Sequence, residues 1–409
     1  MLTRQGWLVA AGAVVLVAGG RIFGLVELFV LGGVAVFLLV VSSAHVMRTR
    51  LDLEVGRVVH PPRVHAGSPS RVDLTVKNLR AARTPVLRLH DPVSGTRGAD
   101  LLLAPLGRRA VTTAAYRLPT ERRGIVGVGP LAVIVTDPFG LAQTSVAGAP
   151  QTELTVFPRI DDIEPVPYTS GHDPLSGAKQ PNALGRTGED FYALRPYVVG
   201  DDLRRVHWPS TARHDELLVR QTELPWQGRT TVLLDVRRSA HRGESLELAV
   251  SAAASVVTAN WRRRDLVRLL TTDGSDSGFG PGHQHVEAIM EHLAVVQSTT
   301  GASLRGMLDH LGRSSAGGGA LVVVVAEVPD EEIEAIGRLD ARYGSVTTVV
   351  IERSAWDRAA PSSAARRTRV SGTRAVLRVG RDVPFVDGWN RMLRLRATMR
   401  SRAVAGASR

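Results

Sequence analysis

The chain has 409 residues, of which 44% are hydrophobic and 22% charged, which predicts folded domains and more than one hydrophobic core. It contains no cysteine, which excludes disulfides, thiolate metal sites and cysteine nucleophiles. The formal charge is +12, but the arginines are scattered and the longest basic run is Arg262–Arg264. We therefore interpret the charge as a solvated basic surface and expect no nucleic-acid partner.

Two apolar stretches come first along the chain. Trp7–Gly20 is apolar or small throughout, Arg21 interrupts, and Ile22–Val41 is apolar except for Glu27. A helical span needs about 20 apolar residues, so residues 1–48 are predicted to form a transmembrane helical hairpin. A cleavable signal peptide is the alternative, but its apolar core would run for only about 7–15 residues.

Flanking charge predicts the orientation of this hairpin. Arg4 precedes the first stretch, Arg48, Arg50 and Arg57 follow the second, and the connection holds only Arg21. Loops on the cytoplasmic side carry the excess of Arg and Lys. We therefore expect a multi-pass protein of the plasma membrane whose soluble domains lie in the cytoplasm.

Residues 49–158 are predicted to form an antiparallel β-sandwich domain. Short alternating or β-branched runs are separated there by turn residues, a pattern typical of such folds. The runs are Arg71–Val76, Pro85–Leu89, Ala110–Tyr116, Gly124–Val128 and Leu131–Val135. No catalytic cluster stands out, so a spacer or binding role is expected.

Residues 159–228 are predicted to be a linker followed by a dense polar segment, and residues 229–409 an α/β domain. In the α/β part, apolar strands alternate with helices, which favours a doubly wound, mostly parallel sheet. Predicted strands are 230–234, 266–271, 320–326 and 346–351; predicted helices are 244–263, 284–297, 302–312 and 330–343. A basic helix near Trp389–Arg402 would pack on this domain or, alternatively, lie on an anionic leaflet.

The polar segment carries a resemblance to a known family. It reads GEDF at 188–191, RPYVVGDDLR at 195–204, HW at 207–208, TAR at 211–213 and LVRQTE at 218–223. DPFGL at 137–141 and VFP at 156–158 add weaker support. The chain thus resembles the bacterial domain of unknown function 58 family, whose members often occur beside MoxR-type AAA ATPases. The resemblance implies such an ATPase as a partner.

Arginines and carboxylates surround two aromatic residues in this signature segment. Because the guanidinium fork pairs bidentately with carboxylates, the network either clamps the segment onto the α/β domain or forms a docking surface for a partner protein. The residues are Asp190, Arg195, Tyr197, Gly200, Asp201, Arg204, Trp208, Arg213, Arg220 and Glu223. A third interpretation is a hydrolase with His207 or His214 as general base and Ser210 or Thr211 nearby.

The α/β domain looks like a von Willebrand factor A fold, whose usual metal site has the pattern Asp-x-Ser-x-Ser after the first strand. Here Asp235 and Ser239 match, but Arg237 stands in the place of the first serine. The resemblance would assign Ser303 and Glu327 to the remaining Mg²⁺ ligands. We expect Arg237 to occupy the position of the metal and to pair with Asp235 or Glu327.

Two further histidines, His283 and His285, are interpreted as exposed loop residues and not as metal ligands, because no third ligand follows at a recognisable spacing.

The favoured function is a membrane-anchored, non-enzymatic protein-interaction or adaptor protein without a cofactor. The lipid bilayer and other proteins, among them a MoxR-type AAA ATPase, are its expected partners, and no small-molecule substrate is expected. The first alternative is a Mg²⁺-dependent binding module of the von Willebrand factor A type with a degenerate metal site. The second alternative is an uncharacterised hydrolase.

Overall fold

Two compact units, Met1–Arg159 and Ile160–Arg409, make up the chain. The computed structural model describes residues 1–49, 51–167, 191–197, 206–214, 216–222, 228–314, 318–361 and 368–407. Each unit has its own β-sheets and its own hydrophobic core.

The first unit begins with a hairpin of two helices, α1 (Arg4–Phe23) and α2 (Val26–Arg48). Both are long and apolar enough to cross a membrane, and most of their large apolar side chains are exposed. The prediction that Arg21 lies in the connection between the helices is wrong, because Arg21 lies in the last turn of α1. The break comes at Gly24, whose φ of 69° suits glycine, and Glu27 lies in the first turn of α2.

Ten strands follow in the part of this unit that the structure describes. They are β1 (Leu53–His60), β2 (Arg63–His65), β3 (Arg71–Asn78), β4 (Leu87–Asp91), β5 (Ala99–Leu103), β6 (Val111–Arg117), β7 (Gly124–Val128), β8 (Ala132–Thr136), β9 (Gln143–Ala147) and β10 (Thr152–Phe157). The sheets have the orders β1-β3-β6, β2-β10-β7 and β5-β4-β8-β9. Only β2 and β10 pair in parallel, so the expected antiparallel sheets are confirmed.

One hydrophobic core joins these three sheets. Burial alternates along β3, so that Val72, Leu74 and Val76 are at most 1% exposed while their neighbours are not. The same cluster includes Leu89 of β4 and Val156 of β10. The period-two pattern in the sequence therefore reflects which face of each strand is buried.

A buried ion pair also lies inside the first unit. Arg57 of β1 donates to Asp91 of β4 at 2.6 Å, and both side chains are at most 1% exposed. The hydroxyl of Tyr116 in β6 donates to the second carboxylate oxygen, also at 2.6 Å. Burial and this hydrogen bond raise the pKa of Tyr116. The network ties strands of two sheets together.

In the second unit, strands and a helix lie within the residues that were predicted to be a linker and signature segment. β11 (Phe191–Pro196) and β12 (Leu218–Thr222) pair in antiparallel fashion, and α3 (Trp208–His214) lies between them in the chain. Val206 forms an isolated bridge with Val219 of β12. The described part of the signature segment therefore contains an antiparallel strand pair and a short helix.

A six-stranded sheet forms the centre of the second unit. Its strands are β13 (Arg229–Leu234), β14 (Leu266–Thr271), β15 (Ala320–Ala326), β16 (Ser345–Ile351), β17 (Arg369–Ser371) and β18 (Arg374–Val379). The order is β14-β13-β15-β16-β18-β17, and all neighbours are parallel except β17 and β18. The described sheet is thus mostly parallel, as predicted, although β17 and β18 were not foreseen.

Helices cover this sheet. They are α4 (Ser245–Arg262), α5 (Gly282–Val295), α6 (Leu304–Arg313), α7 (Asp330–Gly337) and α8 (Phe385–Ala407). β15 and β16 are buried along their whole length, which requires cover on both faces. Leu311 of α6 and Ile336 of α7 belong to a hydrophobic cluster that also contains residues of the strands. Helix α4 also packs on the strands, but its residues are not part of this cluster. The helix predicted over 330–343 is shorter, because a 3₁₀ turn replaces it at Arg338–Ala341.

The first half of α8 packs on the α/β sheet, which favours packing over the leaflet alternative. Trp389 and Met392 are fully buried, and the indole nitrogen of Trp389 donates to the carbonyl of Glu164 at 2.8 Å. Arg396 donates to two hydroxyls of β16, those of Ser345 and Thr347, and to the carbonyl of Val346 at 3.0 Å. Burial lowers the pKa of Arg396 to about 10, so the side chain stays charged at neutral pH.

Candidate functional site at the carboxyl edge of the parallel sheet

Strand order marks one edge of the parallel sheet as the place where a ligand would bind. β13 has β14 on one side and β15 on the other, so the direction of winding reverses at β13. In open α/β sheets, ligands bind beyond the carboxyl ends of the strands at such a reversal. Residues 235–244, which follow β13, therefore form the centre of the candidate site.

Asp235 and Arg237 form a closed ion pair at this reversal. Asp235 is fully buried, and its Oδ1 accepts from the backbone N–H of Arg237 at 3.0 Å. The guanidinium of Arg237 donates from Nε to both carboxylate oxygens, at 3.1 and 3.0 Å, and from Nη2 to Oδ2 at 2.9 Å. Both oxygens of Asp235 are therefore engaged by an arginine from the same loop.

Glu332 completes the arrangement from the first turn of α7. It accepts from Nη1 of Arg237 at 3.2 Å and from Nη2 at 2.9 Å. The Arg237 side chain is 17% exposed and that of Glu332 is 34% exposed. Burial opposes the charge on Arg237, but hydrogen bonds to the two carboxylates outweigh it and raise the pKa of Arg237 overall. The guanidinium is thus a permanent cation bridging two acidic side chains.

Arg237 pairs with Asp235 as predicted, but its second partner is Glu332 and not Glu327. Glu327 directly follows β15, is exposed and has a φ of 41°, which turns the chain towards α7. Glu332 lies five residues further on, where the helix start brings its carboxylate to Arg237. The acidic run in the first turn of α7 is the sequence signal that could have identified this partner.

The remaining predicted metal ligands have other roles. Ser303 caps α6, where its hydroxyl accepts from the backbone N–H of Gly306 at 3.1 Å. Its own N–H donates to the carbonyl of Thr272, and the Thr272 hydroxyl donates to Asp235 at 3.2 Å. Ser239 is exposed in the turn after Arg237. The structure therefore links Ser303 to Asp235 through Thr272, which sequence reasoning missed.

The side chain of His241 connects the loop after β13 to the start of α4. Its Nε2 lies 2.6 Å from the backbone carbonyl of Asp235, and its Nδ1 lies 3.2 Å from the hydroxyl of Ser245 at the start of α4. Burial lowers the pKa of His241, which favours the neutral ring. His241 is a positioning residue for the Asp235–Arg237 loop.

These residues do not fit a Mg²⁺ ion. A divalent cation needs free carboxylate oxygens, and both oxygens of Asp235 already accept from the guanidinium of Arg237. A cation beside this fixed positive charge would also be repelled. Among the residues that the structure describes, no group of three or more His, Asp or Glu side chains is arranged to hold a metal ion.

The signature segment is described only in part. Trp208, the first residue of α3, is 63% exposed, and Arg213 is also exposed. The backbone N–H of Tyr197 donates to the carbonyl of Leu217 at 2.7 Å. Asp190, Gly200, Asp201, Arg204 and Glu223, and the side chains of Arg195 and Arg220, lie outside the described residues. The arginine–carboxylate network expected for this segment stays a prediction.

Three histidines of the sequence analysis have specific surroundings. Nδ1 of His207 lies 2.7 Å from the hydroxyl of Ser210, one turn apart at the start of α3. His283 and His285 lie in the first turn of α5, so their assignment to a loop is wrong. Nε2 of His285 lies 2.9 Å from the carbonyl of Val267, and His283 is 3.6 Å from Glu287. The side chain of His214 is outside the described part.

Part of the chain matches a known protein family. Residues 193–363 match the family model described as "Protein of unknown function DUF58". The chain carries a DUF58 region. This region contains most of the signature segment and the sheet from β13 to β16, so the family resemblance is confirmed. The description of the DUF58 family names no activity, ligand or partner.

Comparisons with whole proteins add no functional information. No curated protein matches the chain. A CARDB domain from Pyrococcus furiosus, crystallised with di-metal ions, is 18% identical, with 25% of this chain and 96% of that chain covered and a TM-score of 0.19. The alkylpurine DNA glycosylase AlkC of Pseudomonas fluorescens is 13% identical, with 28% and 33% covered and a TM-score of 0.19. Similarities of this size carry no conclusion about the fold or activity of this chain.

Proposed function

We propose that this DUF58 protein is a membrane-anchored, non-enzymatic adaptor that binds other proteins through its α/β unit. α1 and α2 would hold it in the plasma membrane, with the soluble parts in the cytoplasm. Arg4 and Arg48, both exposed at the ends of the hairpin, support this orientation because basic residues concentrate on the cytoplasmic side.

One observation carries the protein-binding part of the proposal. Trp208 is 63% exposed at the start of α3, inside the family signature. Leu217, which precedes β12, is 41% exposed. Tryptophan is enriched among the residues that contribute most to protein–protein binding, because burial of its large ring on association is strongly favourable. We assign Trp208 to the contact surface for a partner protein.

The closed Arg237 arrangement supports binding that does not depend on a metal. In a von Willebrand factor A-like domain with a metal, a ligand would complete the coordination of the ion. Here the position is held by the chain's own cation, so the Mg²⁺-dependent alternative is disfavoured. The reversal of strand order at β13 supports the von Willebrand factor A-like assignment itself, which we retain as a proposal.

A MoxR-type AAA ATPase is the partner that the family resemblance implies. To test this, benzoylphenylalanine replaces Trp208 in the full chain, and native membranes are irradiated with and without nucleotide. A matched control carries the same group at Leu102, which is 76% exposed on β5. We expect an adduct from position 208 alone, and mass spectrometry to identify an AAA ATPase in it. Equal labelling at both positions, or no adduct at 208, would contradict the proposal.

The contact between His207 and Ser210 favours a hydrolase as the second candidate function. Nδ1 of His207 would accept the Ser210 proton as Oγ attacks an acyl carbon; the leaving group would then take that proton, and water would release the acid. A fluorophosphonate probe tests this interpretation. Labelling of the wild type that is lost in Ser210→Ala would support the hydrolase interpretation. Absence of labelling in the wild type would rule it out.

A further inference from the structure

The N-terminus of the chain is joined to a turn of the β-rich part. Met1 and Gln143 exchange two backbone hydrogen bonds, at 2.9 Å from the terminal amine and 2.8 Å from the Gln143 N–H. Thr3 donates from its N–H to the carbonyl of Leu141 at 2.9 Å and from its hydroxyl to the carbonyl of Gly140 at 2.6 Å. The turn at residues 137–142, between β8 and β9, is therefore held against the first residues of α1.

Hydrogen bonds within the turn also hold its shape. The carboxylate of Asp137 accepts from the backbone N–H groups of Phe139 at 2.8 Å and Ala142 at 2.5 Å. Burial raises the pKa of Asp137, but these backbone hydrogen bonds outweigh it and hold the pKa below its usual value. Gly140 has a φ of 72°, and a Cβ on Gly6 of α1 would overlap with the carbonyl oxygen of Leu141. Gly6 is thus required for the close approach, and Gly140 for the conformation of the turn.

Phe139 is a large apolar side chain that this arrangement leaves exposed. It lies at the tip of the turn and is 58% exposed, although Leu141 and Ala142 beside it are buried. Its neighbour Gly140 is hydrogen-bonded to Thr3, the N-cap of α1. If α1 spans a bilayer, the ring of Phe139 therefore lies at the depth of the membrane–water interface.

We propose that Phe139 is a second membrane contact, which inserts its ring into the cytoplasmic leaflet and seats the β-rich part on the lipid surface. The inference rests on the proposed anchoring by α1 and α2. Apolar and aromatic groups bury about 5–10 Å into the boundary between headgroups and acyl chains. Trp7, one turn into α1 and 66% exposed, presents a second aromatic ring next to this interface. The DPFGL sequence at 137–141 thus acquires a physical role.

Site-specific spin labelling tests this contact, because the chain contains no cysteine of its own. The full chain is reconstituted in vesicles of phosphatidylcholine and phosphatidylglycerol, with a nitroxide on Phe139→Cys. Arg97→Cys is the matched water control, since it is exposed in the β4–β5 loop at the other end of the same sheet. Five residues of β8 separate these ends by about 15 Å. Val15→Cys, exposed in the middle of α1, is the lipid control.

The relative access of oxygen and of a water-soluble nickel complex reports the depth of each label. We expect the labels at residues 139 and 15 to be more accessible to oxygen than to the nickel complex. The label at residue 97 should be more accessible to the nickel complex. Adding Gly6→Val, which forces the turn away from α1, should shift the 139 label towards nickel. A 139 label as accessible to nickel as the 97 label, with the 15 label in lipid, overturns this inference alone. Nickel access at both 15 and 139 overturns the anchoring as well.

Discussion

The two units each contain an arginine paired with a buried aspartate, and the two pairs differ in their access to solvent. Arg57 and Asp91 are at most 1% exposed and lie between two sheets. Arg237 is 17% exposed, and its second partner Glu332 is 34% exposed at the edge of the parallel sheet. The same chemistry is thus a structural crosslink in one unit and part of a candidate surface in the other. Exposure, and not residue type, separates the two roles.

The largest expected effect comes from breaking the enclosed pair. Asp91→Asn keeps the shape of the side chain but leaves the Arg57 charge buried without a counterion. Loss of one partner of such a pair costs about 3–5 kcal/mol. Hydrogen exchange of the β3 and β4 amides in the full chain measures the change. Asp100→Asn, which breaks the exposed pair with Arg88, is the control and should cost less than about 1 kcal/mol.

Breaking the edge pair should cost less. In Asp235→Asn, Arg237 keeps Glu332 and partial access to water, so we expect a loss of about 2–3 kcal/mol in the protection of the β13 amides. The comparison requires a smaller loss of amide protection in Asp235→Asn than in Asp91→Asn. A loss at β13 as large as that caused by Asp91→Asn would show that the edge pair is also structural.

A third arginine sharpens the comparison, because Arg396 is half-buried and its partners are hydroxyls and carbonyls. Arg396→Met leaves the carbonyl of Val346 and the hydroxyls of Ser345 and Thr347 without their donor. We expect a loss of about 1–3 kcal/mol at the β16 amides, measured in the same way. Arg394→Met, on the exposed side of α8, should stay within about 0.5 kcal/mol of the wild type.

The smallest expected effect is the response of the edge loop to pH. Burial lowers the pKa of His241 below its unfolded value of about 6.5, so the unfolded state binds the proton first. The contribution of His241 to stability is therefore present above about pH 6.5 and is lost as the pH falls through the folded pKa. Thermal unfolding from pH 7.5 to 5 should depend less on pH in His241→Gln. His283→Gln, 73% exposed at the side chain, should follow the wild type.

Local patterns predicted the sheets better than the site. The valine run of β15 and the alternation along β3 follow from burial on two faces or on one, which a short window of sequence records. The pairing of Arg237 with Glu332 joins residues 95 positions apart. The docking of the 137–142 turn on Thr3 spans a still longer separation. Such contacts depend on how elements pack, so spacing in the sequence could not identify them.

Errors at the ends of elements have a similar cause. Arg21 was assigned to the connection because it is charged, yet a helix tolerates arginine in its last turn, and Gly24 ends α1. The resemblance to a von Willebrand factor A fold assigned Ser303 to a metal site, but its position directly before α6 makes it an N-cap. Asp235 directly follows β13, as the sequence predicted, and it therefore lies at the carboxyl edge of the sheet.

The most direct test of the adaptor proposal is the affinity of the cross-linked partner for the full chain in nanodiscs, measured without nucleotide. Wild type is compared with Trp208→Ala, in EDTA and in Mg²⁺. We expect Trp208→Ala to weaken binding by more than about tenfold, as for a residue contributing more than about 1.4 kcal/mol, and the wild type to bind equally in both buffers. Binding that requires Mg²⁺, or that is unchanged by Trp208→Ala, would contradict a metal-independent adaptor.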